Sequence, residues 1–356
     1  MTARIPWEPG RLWQRLKAQS AHGLKTGALQ SIDTHRVQLE ENGVQFLVHI
    51  LANLSRKEKA RKQQGKTAPA NPFLPYEEDL YVTDISGTHL CLLNKFNVVA
   101  HHFLIVTRHF ESQETWLTHS DFEAVARCLA EVDGLVFFNG GTIAGASQPH
   151  KHLQIVPVAP TKNEANSETG SETISAEGDE GGTSMMDIIQ AADQFGVGSA
   201  IPSTISNAMP NAIPNAISST IAEPFQDKIA TSPKLPFRHA ILHHQNISAQ
   251  RSQPPSQPHV SDSGPTTAQA YLSSYRALLH AVGITTRNQW QDLQTAPYNF
   301  LCTRQWMMVV PRSQEKHADI SVNSLGFAGS LLVKNETKLA ELKATGPLTL
   351  LKIVGY

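Results

Sequence analysis

Two apolar runs, GLVFFN at 134–139 and LQIVPV at 153–158, are joined by residues 140–152, GGTIAGASQPHKH. That link is too short and too rich in glycine to hold a helical crossover, which parallel neighbours in a sheet require. The runs are therefore expected to be antiparallel strands. Just ahead of them, SDFEAVARCLAEVDG at 120–134 reads as an amphipathic helix. Ser120 stands as its cap, Glu123 closes a capping box, Phe122, Val125, Ala126, Leu129 and Val132 share one face, and Gly134 stops it. Strand-like runs also occur at VQFLVHIL (44–51) and FNVVAHHFLIVT (96–107).

Later come FRHAILHH (237–244), a helix at AQAYLSSYRALLHAVG (268–283), YNFLCTRQWMMVVPRS (298–313) and ISVNSLGFAGSLLVKN (320–335). A closing helix ETKLAELKATG (336–346) leads into LTLLKIVG (348–355), which reads as a strand. The expected class is α+β, an antiparallel sheet with flanking helices and a C-terminal block that completes the core. Three parts follow from composition: 1–160, an insert at 161–232 and 233–356. The insert contains NEANSETGSETISAEGDEGGTS and the near-repeat NAMPNAIPNAIS, which hold too little apolar surface to offset their ordering entropy. It reads as disordered apart from one short helix at MMDIIQAADQFG. A second loop-like stretch spans 248–269.

Charged residues make up 17% of the chain and its formal net charge is -1. No global field steers it to nucleic acid or an anionic membrane, so any phosphate must be bound locally. No segment has the length and apolarity of a membrane helix or a signal peptide. Cys91, Cys128 and Cys302 are widely spaced and odd in number, with no CxxC. They fit buried thiols in a cytoplasmic protein rather than a disulfide framework or zinc knuckle.

On a strand through QPHKHLQIVPV, His150, His152 and Gln154 fall on one face, and Lys151, Leu153 and Ile155 on the other. The glycine-rich turn ahead of them can bring backbone amides close to an anion. An imidazole nucleophile, a polar partner and an anion cradle are the parts that phosphoryl or nucleotidyl transfer through a covalent histidine requires. Paired histidines also bind metals, but no Cys, Asp or Glu stands close by to complete a zinc site. Surface histidines without a role would be the default for a lone pair, but the glycine-rich approach and the apolar strand that follows count against it.

GASQPHKHLQIVPV (145–158) resembles the active-site signature of diadenosine tetraphosphate phosphorylases, also called ATP adenylyltransferases, of the histidine-triad superfamily. NPFLPYEEDLYV (71–82), LLNKFNVVAHHFLIVTRHFESQ (92–113), LPFRHAI (235–241), YNFLCTRQWMMVVPRS and ISVNSLGFAGSLLV resemble that family's other blocks, in its order. The resemblance implies a histidine-triad-like fold over nearly the whole chain except the insert. It implies His152 as the nucleophile that attacks the α-phosphate and forms an adenylyl-histidine. Gln154 stands where the superfamily's small hydrolases carry a third histidine, and His150 orients the strand or contacts phosphate.

The resemblance further gives the turn Gly145, Ala146, Ser147 and Gln148 to the phosphate chain, and Asn139, Asn94 and Lys95 to the nucleotide. Lys57, in NLSRKEKARK, is a candidate for the distal phosphates. Asn299, Met308 and Arg312 are candidate contacts from the second block, whereas Trp306 and Met307 alternate with them and fit a core. The tandem histidines His101/His102 and His243/His244 are assigned no chemistry.

The implied reaction is reversible phosphorolysis of diadenosine tetraphosphate to ATP and ADP, with adenosine phosphosulfate as a further substrate in some members. A sugar-1-phosphate uridylyltransferase is the near alternative, although that family carries His-Pro-His and usually metal-ligand cysteines. A non-catalytic dinucleotide sensor is the alternative of another class. No tightly bound cofactor or structural metal is expected, and Mg²⁺ would arrive with the polyphosphate. The expected partners are diadenosine tetraphosphate, ATP, ADP and phosphate, with neither nucleic acid nor membrane; the sequence does not set the oligomeric state.

Overall fold

Hydrophobic runs of strand length, punctuated by turns, build most of the molecule. The computed structural model describes residues 4–52, 71–158, 183–184, 186–187, 229–244, 267–285 and 293–356. In spatial order the main sheet runs β3 (Tyr81–Asp84), β4 (His89–Leu93), β5 (Phe103–Thr107), β7 (His152–Pro157), β6 (Gly134–Gly140) and β11 (Tyr298–Cys302). It continues through β12 (Trp306–Pro311), β10 (Ala240–His243) and β9 (Ile229–Ala230). Every neighbouring pair is antiparallel, as the short connections require. The expected α+β class is thus the observed one. The two flanking blocks of sequence share this sheet, because β6 and β11 are hydrogen-bonded neighbours.

One face of the sheet is covered by helices α1 (Leu12–Thr26), α2 (His119–Glu131) and α3 (Thr267–Ala281). Their apolar stripes, including Leu16, Phe122, Val125, Leu129, Tyr275 and Leu278, meet Leu153, Ile155, Val136, Phe138 and Phe300. The other face packs on a smaller sheet of β1 (Thr34–Glu41), β2 (Val44–Leu51) and β13 (Ser330–Val333). Helices α4 (Glu336–Thr345) and α5 (Pro347–Val354) close that side. Among the described residues no helix is long and apolar enough to cross a membrane.

Several expectations are corrected. Helix α2 is capped by Thr118 rather than Ser120, and its capping box is completed by Asp121 rather than Glu123. Gly134 does not end the helix; it opens β6, where an added Cβ would lie 2.9 Å from the Val156 carbonyl. The strand read from residue 96 begins only at Phe103, because His101 has φ 57 and turns the chain. LTLLKIVG is helical, not extended. Pro347 suits a first helical turn, and Leu348, Leu350, Leu351 and Val354 are all buried. A short apolar run does not separate the two states by periodicity. Helix α1 and strand β1 were not among the expected elements.

The insert is not structureless throughout its expected span. Ile229–Ala230 pairs with β10, and Thr183–Ser184 (β8) runs parallel to the start of β2. The rest of the insert, most of the expected short helix and most of 248–269 lie outside the described residues.

Lys151 is the sharpest feature of the helix-covered face, since its side chain is fully buried. Its ammonium lies 2.8 Å from Asp121, 3.2 Å from Glu111 and 2.8 Å from the Trp116 carbonyl. Burial alone would raise the Asp121 pKa, but the His89 hydrogen bond and the Lys151 charge outweigh it and hold the carboxylate well below its usual range. Asp121 thereby caps α2 and anchors the residue before β7. Breaking a buried pair strands a charge, so Lys151→Ala is expected to cost about 3–5 kcal/mol in urea unfolding. A loss under about 1 kcal/mol would show that the anchor is dispensable.

Candidate active site

Opposite Lys151, strand alternation turns His150, His152 and Gln154 toward the other face, as expected. The regular strand starts at His152, while His150 precedes it in an isolated bridge to Ser112. The His152 amide donates to Gln113 Oε1 at 2.8 Å. Gln113 Nε2 in turn donates to the carbonyls of His152, at 3.2 Å, and Asn139, at 2.9 Å. One side-chain amide therefore fixes the backbones of β7 and β6 together.

The His152 ring has a determined tautomer. Its Nδ1 lies 2.8 Å from the His150 carbonyl oxygen. A carbonyl only accepts, so Nδ1 carries the proton and Nε2 holds the lone pair. Burial pushes the His152 pKa down to about 4 and the neighbouring His150 adds to this, while the carbonyl bond opposes them. At neutral pH the ring is an uncharged nucleophile. Phe73 packs against it with ring centroids 5.3 Å apart.

His150 is buried and fully engaged. Its Nε2 lies 2.9 Å from the Thr107 carbonyl, and Asn71 Nδ2 lies 2.9 Å from its Nδ1. Phe73 and Phe110 flank the ring. Of the two roles implied for His150, this arrangement fits the orienting one, since neither ring nitrogen is left for phosphate.

Gln154 is half-buried and sits opposite Leu104 in β5 and Phe137 in β6. Its side chain neighbours His102. His102, assigned no chemistry from sequence, is therefore a member of the site. Burial lowers its pKa to about 4, against the opposing effect of neighbouring Gln154. Asn94 Nδ2 lies 3.2 Å from His102 Nδ1, so Asn94 also reaches the site, through His102. Lys95 is ion-paired with Glu77 at 2.6 Å. Lys57 lies outside the described residues.

The glycine-rich turn forms a 3-10 turn over Thr142–Ala144, with Gly145 at φ 90. A Cβ at Gly145 would stand 2.9 Å from the Val322 carbonyl, so close approach as well as φ demands glycine. The amides of Ala144 and Ala146 donate to the Gly141 carbonyl, and that of Gly145 donates to Thr142. The expected amide cradle is thus largely spent inside the turn, leaving exposed Ser147 and half-buried Gln148 at its outer end.

The candidates from the second block are placed differently from expectation. Arg312 is fully buried, and its guanidinium donates to the carbonyls of Val354, Val322, Gln314 and Glu315 and to Asn299 Oδ1. Burial lowers its pKa to about 10, against the raising effect of Glu315. Asn299 Nδ2 donates to Asn139 Oδ1 at 2.9 Å and to the Ala144 carbonyl at 2.8 Å. Ser324 completes the cluster, donating to Asn139 Oδ1 through both its amide and its hydroxyl. Met308 is buried in the core against the smaller sheet. Arg312 and Asn299 consequently hold the turn in place with their polar groups engaged, Asn139 joins the network through its Oδ1, and Met308 fills the core. Trp306 and Met307 are also core, as their alternation indicated.

Sequence reasoning missed Gln113, Asn71, Phe73, Thr107 and His102 as members of the site. All five fall within the two upstream blocks that carry the family resemblance, and that was the only signal pointing to them. Their partners lie tens of positions away, and no local spacing marks them.

Comparison with known proteins bears on the family and the fold. A family model described as the Ap4A phosphorylase N-terminal domain matches residues 2–169, and one described as the ATP adenylyltransferase C-terminal domain matches 233–356. The chain is 28% identical over 351 residues to diadenosine 5',5'''-P1,P4-tetraphosphate phosphorylase 2 of Saccharomyces cerevisiae, covering 93% of this chain and 90% of that one. It is 25% identical to Protein APA1 of the same organism, covering 89% and 84%. Among solved structures, yeast Ap4A phosphorylase Apa2 in complex with AMP superposes with TM-score 0.64 at 24% identity, covering 98% of this chain and 97% of the other. At that identity the structural likeness is one of fold.

His102, His152 and His239 all have pKa values lowered by burial from 6.5 to about 4. Between those values the unfolded chain binds protons that the folded one refuses, so stability is lost as pH falls through that window. The urea midpoint is expected to drop steadily from pH 7 to pH 4.5. A midpoint that stays level to pH 4.5 would contradict the buried neutral rings.

Proposed function

The chain belongs to the Ap4A phosphorylase and ATP adenylyltransferase family, and on that premise we propose that it catalyses reversible phosphorolysis of diadenosine tetraphosphate to ATP and ADP. The observation that carries this reading is the His152 tautomer, with Nδ1–H held by the His150 carbonyl and the Nε2 lone pair available for attack. Nε2 forms a bond to the α-phosphorus of one adenylate, and the bond from that phosphorus to the bridging oxygen breaks, releasing ATP. Orthophosphate then attacks the same phosphorus, the P–N bond breaks, and ADP leaves with His152 neutral again. The Nδ1–H bond persists through both steps and offsets positive charge on the ring as it forms.

Gln154 contacts the reacting phosphate in this scheme. A neutral amide donates a hydrogen bond but shuttles no proton, so water is poorly activated and the already anionic phosphate is the better acceptor. Ser147 and Gln148, at the outer end of the turn, bind the phosphate chain, with Lys57 and Lys95 as cations for its distal part. Lys95 would exchange Glu77 for phosphate. Mg²⁺ accompanies the polyphosphate as part of the substrate. Nucleotides and phosphate are the partners this chemistry needs. A cytoplasmic setting belongs to the same reading and is supported by three buried, unpaired thiols.

Incubation with diadenosine tetraphosphate in the absence of phosphate should yield an acid-labile, base-stable AMP adduct on His152. His152→Ala should lose nearly all turnover and all adduct. Adduct recovered on any other residue would overturn the assignment. Gln154→His should shift products from ADP plus ATP toward AMP plus ATP, because imidazole supplies the missing proton shuttle. An unchanged ratio, with adduct still forming, would assign acceptor choice to the phosphate site instead.

A further inference from the structure

We propose that Gln113 is a positioning residue whose carboxamide takes the place of direct strand pairing and holds β6 and β7 apart at the level of His152. The inference rests on the reading of His152 as the nucleophile and deepens it, because the interval so kept open borders the place of the attacked phosphate.

The register of β6 on β7 sets Gly134 opposite Pro157, Leu135 opposite Val156, Val136 opposite Ile155 and Phe137 opposite Gln154. Continued in step, it would set Asn139 opposite His152. Both strands extend that far, since β6 pairs with β11 up to Gly140 and β7 pairs with β5 back to His152. Their pairing with each other nevertheless stops at Phe137 and Gln154. Ahead of His152 the chain takes a different neighbour, residues 111–113 of the loop between β5 and α2. The Lys151 amide donates to the Glu111 carbonyl at 2.8 Å, the Gln113 amide donates to the Pro149 carbonyl at 2.8 Å, and Ser112 bridges His150. Gln113 therefore stands at the fork where the two strands part, and it is 2% exposed.

Its side chain fills the fork. In a direct pair the His152 amide would donate to the Asn139 carbonyl. Instead that amide donates to Gln113 Oε1 at 2.8 Å, and Gln113 Nε2 donates to the Asn139 carbonyl at 2.9 Å. Nε2 also donates to the His152 carbonyl at 3.2 Å. All three partners are backbone groups of fixed polarity, which sets the orientation of the carboxamide. A relay through a carboxamide reaches farther than the single hydrogen bond it replaces. Residues opposite each other leave a sheet on the same face, so the added width lies between the side chains of His152 and Asn139. The Asn139 carbonyl also accepts from the amide of Gly141, where the glycine-rich turn begins at φ 88. One relay thus fixes the nucleophile and the start of the turn relative to each other. Without it, β6 and β7 are free to close by direct pairing, which would shift His152 Nε2 out of line with the α-phosphorus.

Phosphorolysis of diadenosine tetraphosphate by inorganic phosphate tests this, with kcat and KM measured separately on protein shown to be folded by thermal melt. Gln113→Leu should lower kcat by about tenfold or more while KM for the dinucleotide stays within about threefold, since misplaced reacting atoms cost rate and the rest of the substrate keeps its contacts. Gln113→Glu separates the relay from packing. Protonated, its carboxyl accepts from the His152 amide and donates to the Asn139 carbonyl; ionised, it sets negative oxygen against the carbonyls. Burial favours the protonated form and higher pH removes it. The Gln113→Glu kcat, divided by that of wild type at the same pH to cancel titrations the two enzymes share, should fall about fivefold or more between about pH 5.5 and about pH 8.5. A ratio that does not change over that range, or a Gln113→Leu enzyme that turns over like wild type, would overturn the proposal. If Gln113→Leu does not fold, the pH dependence of the Gln113→Glu ratio decides alone. Wild-type protein that fails to phosphorolyse the dinucleotide would instead sink the parent reading; active wild type with either of the two contrary results overturns the role of Gln113 alone.

Discussion

The carbonyl of His150 is the acceptor on which the site depends. It takes the Nδ1 proton of His152 at 2.8 Å, and because a carbonyl cannot donate, the lone pair is left on Nε2. That arrangement is useful only if the two residues cannot move apart, and the surrounding fold constrains them from three sides. Asn71 and Thr107 hold the His150 ring, Gln113 holds the His152 backbone, and Asp121 with Glu111 holds Lys151 between them. A strand is well suited to this task, since one backbone presents a charged anchor to one face and a nucleophile to the other.

Among the described residues, the C-terminal block braces the glycine-rich turn. Arg312, Asn299, Asn139 and Ser324 form a buried network that spans β6, β11 and the last residue of α5. The Ala144 carbonyl of the glycine-rich turn accepts from Asn299 and from Arg312, at 2.8 and 3.3 Å. Low dielectric makes such a network strong when every group is satisfied, and each N–H of the Arg312 guanidinium has a partner. The turn's position thus depends on residues far away in sequence, which explains how two blocks separated by a long insert serve one site.

Much of this was legible in the sequence, for particular reasons. The period-two pattern of HKHLQIVPV gave both faces of β7, and the short glycine-rich link gave antiparallel pairing. What escaped was whatever depends on burial and partners rather than on local spacing. Asp121 performs the capping duty assigned to Glu123 while also pairing with Lys151, and no local signal distinguishes the two carboxylates. Arg312 resembled a phosphate contact because it is an arginine in a matching block, yet its environment consists of carbonyls. LTLLKIVG is a short, mostly apolar run whose periodicity does not separate helix from strand, so its helical state is decided by Pro347 and by the core it covers. His102 is one of two adjacent histidines, and only the turn at His101 and the register of β5 on β7 reveal which of them meets Gln154.

The central claim is that an adenylyl group is carried covalently on His152 between donor and acceptor. The most direct measurement is the stereochemical course at the attacked phosphorus. The substrate would be diadenosine tetraphosphate with one α-oxygen replaced by sulfur in a single configuration, and ³¹P NMR of the thio-ADP product would report the result. Two successive in-line displacements, one by His152 Nε2 and one by orthophosphate, predict overall retention of configuration. Inversion would mean that phosphate attacks the dinucleotide directly, and would contradict the account.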